Sequence, residues 1–335
     1  MTENFTGMLN RNFGMSYGDE GISRNSTGKM ASISIHSLEG KGEDEELNGN
    51  LWNHEGINLG EKFGAEMLDF DTPWDWIQDR INREDWTGIN VGDYIKADTK
   101  NNSIYFKAYI CGINTYKNVQ GIGNHKIESH IDFLFRMYNK SDDSIFNVNH
   151  RMNTGNANNS LDASTSAYKS MEMYYYLNGL SGSVRGQADI ETVNFVGSGF
   201  IDTYIPDDLR EIIAERESML PVRFTNATTL TTNDSGRVIE SIGKLWLFDE
   251  FELIGSGLMT STVSAQTASY SEQYPLFLGS REQYAAIFSN VNSYTRTPAA
   301  GSSAYFNIVS GAYANIGSAG NPAGVVPGFR ISKNN

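Results

Sequence analysis

The pattern of apolar and polar positions divides the chain into a weakly ordered beginning and a body of helices and strands. In residues 1–71 glycine and asparagine recur, and only the short alternation "MASISIHSL" predicts a strand. From residue 72 onwards, amphipathic segments follow one another at short intervals. The pattern predicts an extended N-terminal arm over 1–71 and one domain over 72–335. The arm is expected to lie across its own body or a neighbouring subunit, or to anchor the chain to a particle.

The body begins with a helix signal, "TPWDWIQDRINREDW", at residues 72–86. Thr72 is the expected N-cap, Pro73 the first helical residue, and Asp75 lies in the first turn, where the helix dipole favours negative charge. Gly88 is expected to end this helix.

Two further segments have helical spacing. "AYKSMEMYYYLNGL" predicts a helix that Asn178-Gly179 ends. The clearest amphipathic pattern is "IPDDLREIIAERESML", residues 205–220, with Leu209, Ile212, Ile213 and Arg216 three and four residues apart.

Strand patterns fill most of the remaining body. "INVGDYIKADT" and "SIYFKAYICGINTY" predict a hairpin with "KNN" in the turn, and "ESHIDFLFRMYN" predicts a strand or a short helix. "PVRFTNATTLT" predicts a strand, and "GKLWLFDEFELIG" a strand that leads into a short helix. The closing stretch, 293–331, predicts a two- or three-stranded antiparallel meander. Helices mixed with antiparallel strands indicate the α+β class.

Charge and cysteine content narrow the function classes. The 335 residues carry a net charge of −14 without a run of Lys or Arg, which argues against a nucleic-acid partner and an anionic membrane surface. The lone Cys111 excludes internal disulfides and a multi-cysteine zinc site, and its apolar neighbours predict a buried thiol. We expect neither a secretory signal nor a membrane span, so the chain is expected to fold in a reducing cytoplasm.

The residues with catalytic or metal-binding chemistry do not form a recognisable motif. His125 and His130, with Glu128 between them and His150 later, do not match the spacing of a metal site. Calcium is also disfavoured, because "TNDSG" at 232–236 has the composition of a hairpin turn. We therefore expect no cofactor.

Three carboxylates lie in "LFDEFEL": Asp249, Glu250 and Glu252. They are too close along one segment to face each other across a glycosidic bond, as a glycosidase pair must. A solvated face or a helix cap is the expected role, and we predict that the protein is not an enzyme.

The ordered series of motifs in residues 85–331 resembles a family of uncharacterised domains common in gut bacteria and their phages. The series includes "GINVGDYI", "HIDFLFRMYN", "YKSMEMYYYLNGL", "GKLWLFDEFELIG" and the closing stretch. Where that family ends in Trp-Leu-Arg-(Ser/Thr)-Pro and a Tyr-rich meander, this chain has Thr295-Arg296-Thr297-Pro298 and then Gly324-Val325-Val326-Pro327-Gly328-Phe329-Arg330-Ile331. Tyr294 stands where the family usually has tryptophan.

The resemblance implies a C-type-lectin-like antiparallel sheet with flanking helices. That fold is similar to the one used by phage tropism determinants and by formylglycine-generating enzymes. The enzymatic chemistry of the latter needs a cysteine pair or copper held by cysteines, and Cys111 is alone.

The surface of the meander is the predicted binding site, since Tyr gives large contact area at low entropy cost and Asn gives adaptable hydrogen bonds. The predicted ligand-binding residues are Tyr294, Arg296, Tyr305, Asn307, Tyr313 and Asn315. Strand alternation requires part of this set to point inward. Arg296, beside Pro298, is either a ligand contact or a buried structural arginine.

The expected function is that of a bacteriophage virion protein that attaches the particle to the host surface, through a glycan or a protein, as in a tail fibre or baseplate tip. The alternative is capsid decoration. A cell-wall glycan hydrolase and a bacterial adhesion module are less favoured, since no opposed carboxylates and no anchor are found. The arm is expected to bind other virion proteins, and a homo-oligomer is expected by analogy with fibre tips.

Overall fold

A computed structural model describes residues 16–18, 21–23, 56–116, 128–224, 236–255, 273–278, 292–299, 302–310 and 313–334. These residues form a mixed α+β structure with mostly antiparallel sheets and short helices, as the sequence predicts. The predicted strand at "MASISIHSL" lies outside the described residues, as do His125, the turn before Gly236 and the segment 279–291.

The described helices are short, apart from α3. They are α1 (Leu59–Lys62), α2 (Gly64–Met67), α3 (Pro73–Arg83), α4 (Glu172–Asn178), α5 (Phe200–Tyr204), α6 (Asp207–Ile212) and α7 (Glu250–Ile254). A 3₁₀ turn covers Pro275–Phe277.

The first nine described strands are β1 (Ser16–Gly18), β2 (Gly21–Ser23), β3 (Tyr94–Asp98), β4 (Ile104–Ile113), β5 (His130–Asn139), β6 (Ile145–Phe146), β7 (Asn149–Arg151), β8 (Ser181–Arg185) and β9 (Ile190–Asn194). The later ones are β10 (Ile213–Ala214), β11 (Glu217–Val222), β12 (Gly236–Ser241), β13 (Leu245–Leu247), β14 (Asn292–Pro298), β15 (Tyr305–Ser310), β16 (Tyr313–Ser318), β17 (Pro322–Gly324) and β18 (Pro327–Ser332).

The larger sheet has seven described strands and forms the centre of the fold. Its main order is β10-β18-β5-β4-β3, with β13 also paired to β18 and β6 to β5. The predicted hairpin is confirmed as the antiparallel pair β3–β4, and "ESHIDFLFRMYN" is confirmed as a strand, β5. Cys111 is buried in β4, as predicted.

Helix α3 packs on this sheet through the indole of Trp74. The ring lies 5.9 Å from Phe106 and 6.2 Å from Phe329, measured between centroids. The predicted start is confirmed, since Thr72 and Asp75 form a capping box and Pro73 is the first helical residue. The helix ends at Arg83 rather than near Gly88, because Glu84 adopts a left-handed conformation with φ 54°.

Loss of this cap should be measurable. Thr72→Ala is expected to lower the free energy of unfolding by about 1 kcal/mol, because the Thr72 hydroxyl accepts a hydrogen bond from the backbone N–H of Asp75 at 3.2 Å. Urea unfolding monitored by circular dichroism measures the change. Thr72→Ser keeps the acceptor and is the matched control; equal losses in both variants would contradict a capping role.

The second sheet contains the predicted C-terminal meander. Its described order is β16-β15-β14-β17-β7, and β14, β15 and β16 are antiparallel neighbours, which confirms a three-stranded meander. The chain then leaves this arrangement, since β17 pairs parallel with β14 and β18 joins the larger sheet.

The predicted helix over 205–220 is wrong beyond its first half. Helix α6 ends at Ile212, β10 pairs Ile213 with Ile331 of β18, and β11 forms a hairpin with β12. Burial of residues 216–220 alternates with a period of two, which suits a strand, and Pro221 is incompatible with a helix interior. Long-range pairing therefore outweighs the local helical spacing.

Only Pro221 and Val222 of the predicted strand "PVRFTNATTLT" lie in a strand, β11, and residues 225–231 lie outside the described residues. Two other local predictions are confirmed. Gly179 ends α4 in a left-handed conformation with φ 62°. "GKLWLFDEFELIG" forms strand β13 followed by helix α7.

Residues 56–71 pack on the same body as the residues that follow. Leu59 is buried in the main core, and the ring of Phe63 lies 5.0 Å from that of Trp76. Residues 56–71 of the predicted arm therefore contact the domain. Within the described residues, the structure contains no helix that is long and apolar enough to cross a membrane.

Candidate functional site

The structure divides the predicted binding residues between the interior and the surface. Tyr294, Arg296 and Asn307 are buried, so the prediction that they present their side chains to a ligand is corrected. Tyr305 and Asn315 are exposed. Tyr313 pairs with Ser310 in the register, and its side chain lies outside the described residues.

Burial of Arg296 has a specific cause in α7. Its guanidinium donates to Asp249 at 2.8 Å, to both carboxylate oxygens of Glu252 at 2.5 and 2.8 Å, and to the Leu247 carbonyl at 2.8 Å. Arg296 is therefore a buried structural arginine and not a ligand contact.

Asn307 and Tyr294 are also held by interior contacts. The Asn307 amide donates to Glu250 at 2.9 Å, and the Tyr294 hydroxyl donates to the backbone carbonyls of Ser318 and Asn321. Helix α7 covers this part of the meander, so side chains that alternation alone would leave on a surface are enclosed.

The exposed members of the predicted binding set do not lie on one face of the sheet. The register places Tyr305 opposite Ser318 and Asn307 opposite Ile316, so Tyr305 and Ile316 are diagonal neighbours on one face of β15 and β16. Asn315 lies on the other face, because successive strand residues alternate. Tyr305 and Ile316, 38% and 39% exposed, form what we call the meander strip.

The interior contains a buried charge network of three carboxylates and three arginines. Its members are Asp132, Asp249, Glu252, Arg216, Arg296 and Arg330. All six are buried. Breaking one partner of such a network leaves an uncompensated buried charge.

Glu252 is the centre of one half of the network. It accepts hydrogen bonds from Arg216 at 2.5 Å, from Arg296 and from the Tyr116 hydroxyl at 2.9 Å. Burial alone would raise the pKa of Glu252, but Arg216 and Arg296 lower it to about 2. The carboxylate is therefore charged at neutral pH.

Asp132 is the centre of the other half. It accepts a two-pronged contact from Arg330 at 2.7 and 2.8 Å and a hydrogen bond from the Tyr274 hydroxyl at 2.9 Å. Arg216 donates to the same Tyr274 hydroxyl at 2.9 Å and so joins the two halves. Burial alone would raise the pKa of Asp132, but the charge of Arg330 lowers it.

His130 lies beside Asp132, with Nε2 3.7 Å from the carboxylate. Burial first, and then the charge of Arg330, lower its pKa to about 3, so the imidazole is neutral in the folded protein. His150 lies elsewhere, 3.0 Å from Glu172. In the part of the chain that is described, no group of three metal-ligating side chains comes together.

The predicted helix cap in "LFDEFEL" is confirmed, but the predicted solvated face is not. Asp249 is the N-cap of α7 and forms a capping box with Glu252. Both carboxylates bind arginine inside the protein instead of facing a substrate. The network links β14 of the second sheet to β5 and β18 of the larger sheet, and its carboxylates are all paired with arginine.

Sequence reasoning missed a second surface, on β3, β4 and β5. The register aligns Lys96, Lys107 and Arg136 directly across three adjacent strands, and we call these residues the cationic row. Tyr94 and Tyr109 flank the row on one side, and Tyr105 and Tyr138 flank it on the other. Like charges directly opposite each other in a sheet are destabilising.

Part of this surface was visible in the sequence. "YIKAD" and "YFKAY" place tyrosine and lysine at alternate positions of the predicted hairpin, which puts them on one face. The third cation needed the pairing of β5 with β4, which hairpin signals do not supply.

Comparison with known proteins returned no match among protein-family models, curated proteins or solved structures.

Proposed function

We propose that this protein is a non-enzymatic bacteriophage virion component that displays a C-type-lectin-like domain and attaches the particle to the host surface. The observation that carries the proposal is the meander strip, where Tyr305 and Ile316 reach solvent at the margin of the C-terminal sheet. A rigid aromatic side chain beside an apolar one is the kind of contact that recognition surfaces use.

The burial of the three carboxylates in "LFDEFEL" supports a binding role over hydrolysis of a glycan. Asp249 and Glu252 each contact Arg296 in the interior, and Glu250 is buried beside Asn307. A hydrolase needs an acid that protonates the leaving group and a second carboxylate across the substrate, both in contact with that substrate.

Capsid decoration is the alternative, and the N-terminal side of the domain favours it. Leu68 is 85% exposed, and Ile57 is also exposed nearby in sequence. Contact with another protein would remove these two side chains from water, which is favourable. The same contacts would anchor the arm of an attachment protein to other virion proteins or to a sister subunit.

Locating the protein on particles separates these functions. We expect antibodies against the full chain to label the tail or baseplate of particles purified from lysates that contain the protein, and to reduce adsorption to cells. Immunogold electron microscopy and an adsorption assay give the two readouts. Label spread over the heads with unchanged adsorption would favour decoration, and absence from purified particles would overturn both.

The meander strip itself can be tested with the full chain. Tyr305→Ser combined with Ile316→Ser is expected to weaken binding to host cells tenfold or more, because both side chains would contact the receptor. Flow cytometry with labelled protein measures binding. Ile190→Ser, which changes an exposed apolar residue in the separate β8–β9 hairpin, is the matched control. Equal binding by all variants would contradict attachment through this strip.

A further inference from the structure

The cationic row places three positive side chains side by side in a protein of net charge −14. Across the described part of the chain, Lys96, Lys107 and Arg136 form no ion pair. The nearby Asp98 carboxylate is instead bound to Lys140 at 2.8 Å. Glu61 and Asp143 act on Lys107 only through space. Three cations therefore share one face of the sheet without a direct ion pair among the described residues.

The two lysines are held by tyrosine rings. Lys96 Nζ lies 4.1 Å from the centroid of Tyr105, and Lys107 Nζ lies 4.6 Å from Tyr94 and 5.2 Å from Tyr138. Such cation–π contacts are electrostatic attractions between the ammonium group and the face of the ring. They orient the ammonium groups, but they do not neutralise them.

Arg136 is the strongest sign that this surface binds something. The residue is only 2% exposed, yet its Nε and Nη2 atoms are buried without a hydrogen-bond partner. Burial lowers its pKa to about 10. An unpaired buried guanidinium is costly unless an anion compensates it.

Two hydroxyl groups lie beside this cation. Tyr138 follows Arg136 by two residues in β5 and so lies on the same face, and its hydroxyl oxygen is 3.1 Å from that of Tyr109. Burial raises the pKa of both tyrosines, so both phenols are neutral. They can donate to an acidic group and also bond to alcohol groups next to it.

We propose that the cationic row binds the carboxylate or sulfate group of an acidic saccharide. The planar fork of Arg136 matches an acidic group, Lys107 adds a second charge, and the tyrosine hydroxyls match the alcohol groups of a sugar ring. An acidic peptide would also present aliphatic side chains, and the flanking residues here are phenols. The saccharide part of this inference rests on the proposed attachment function; the anion site does not.

Calorimetry on the full chain tests the site. The probes are a tetramer of galacturonic acid, a sulfated galactose tetramer, the neutral galactose tetramer and oligoglutamate. We expect one or both acidic saccharides to bind at least tenfold more tightly than the neutral one. Equal binding of acidic and neutral tetramers would overturn the anion site. Oligoglutamate binding as tightly as the acidic saccharides would overturn the choice of a saccharide.

Variants separate a binding role from a structural one. Arg136→Met removes an unpaired buried charge, so we expect unchanged or higher stability in urea and at least a tenfold loss of acidic-saccharide affinity. Lys107→Gln is expected to lose affinity as well. Lys169→Gln is the matched control, since Lys169 also lies over a tyrosine ring, 5.8 Å from Tyr174. Destabilisation by Arg136→Met with affinity retained would overturn the inference.

The same variants keep this inference separate from the attachment function. If the protein binds the acidic tetramers but does not bind host cells, the proposed attachment function is wrong and the anion site stands. If host cells bind wild type and Arg136→Met equally, and the acidic tetramers do not bind, the cationic row is overturned and attachment stands.

Discussion

Glu252→Gln is expected to lower the free energy of unfolding by about 3–5 kcal/mol. Glu252 is fully buried and accepts hydrogen bonds from both Arg216 and Arg296. The substitution keeps the shape of the side chain and removes its charge, which leaves three buried arginines against two carboxylates. Urea unfolding at pH 7, followed by tryptophan fluorescence, measures the change.

A double variant and a surface control test the reason for this loss. Glu252→Gln with Arg216→Gln restores equal numbers of buried charges, so its loss should be smaller than the sum of the two single losses. Glu211→Gln, at an exposed position in α6, should change stability by less than about 0.5 kcal/mol. Simple additivity of the two network substitutions would show that charge balance is not the cause.

Acidification should destabilise the protein from about pH 6.5 downwards. Below the ordinary histidine pKa of 6.5 the unfolded chain binds a proton at His130, whereas the folded protein does so only near its pKa of about 3. Stability is therefore fully present above pH 6.5 and is lost as the pH falls, by up to about 1.4 kcal/mol per pH unit. Below pH 4.5 the depressed pKa of Glu252 adds a loss of the same sign.

Urea midpoints measured between pH 8 and pH 4 give this slope. His130→Gln removes the titrating group, so its stability should change less between pH 6.5 and pH 4.5 than that of the wild type. The charges that face His130 are Asp132, Arg330 and Arg216, and the substitution leaves all of them in place. An unchanged slope in the variant would exclude His130 as the source.

The sequence predicts an element correctly where the residues that stabilise it are close to one another along the chain. The caps at Thr72 and Asp249 each need a partner three residues away, and the β3–β4 hairpin needs only its own turn. These elements could be predicted because their stabilising contacts are short-range in sequence.

Positions whose partners are far away in sequence could not be predicted in the same way. Ile213 pairs with Ile331, and this contact replaces the helix that local spacing favours. Arg296 is enclosed because α7, more than forty residues earlier, covers its strand. The sequence pattern therefore places the meander residues on a surface, because it does not reveal the helix that covers them.

The position of β18 inside the larger sheet has a consequence for the order of folding during synthesis. Arg330 in β18 contacts Asp132 in β5, which precedes it by 198 residues. At about 5–20 residues per second, a ribosome needs roughly 10–40 seconds to make the intervening chain. During that interval β5 lacks its neighbour β18, and water takes the place of Arg330 beside the Asp132 carboxylate. The central sheet can close only after residue 332 has emerged, so β5 is made long before the strand that covers its edge and must wait for it.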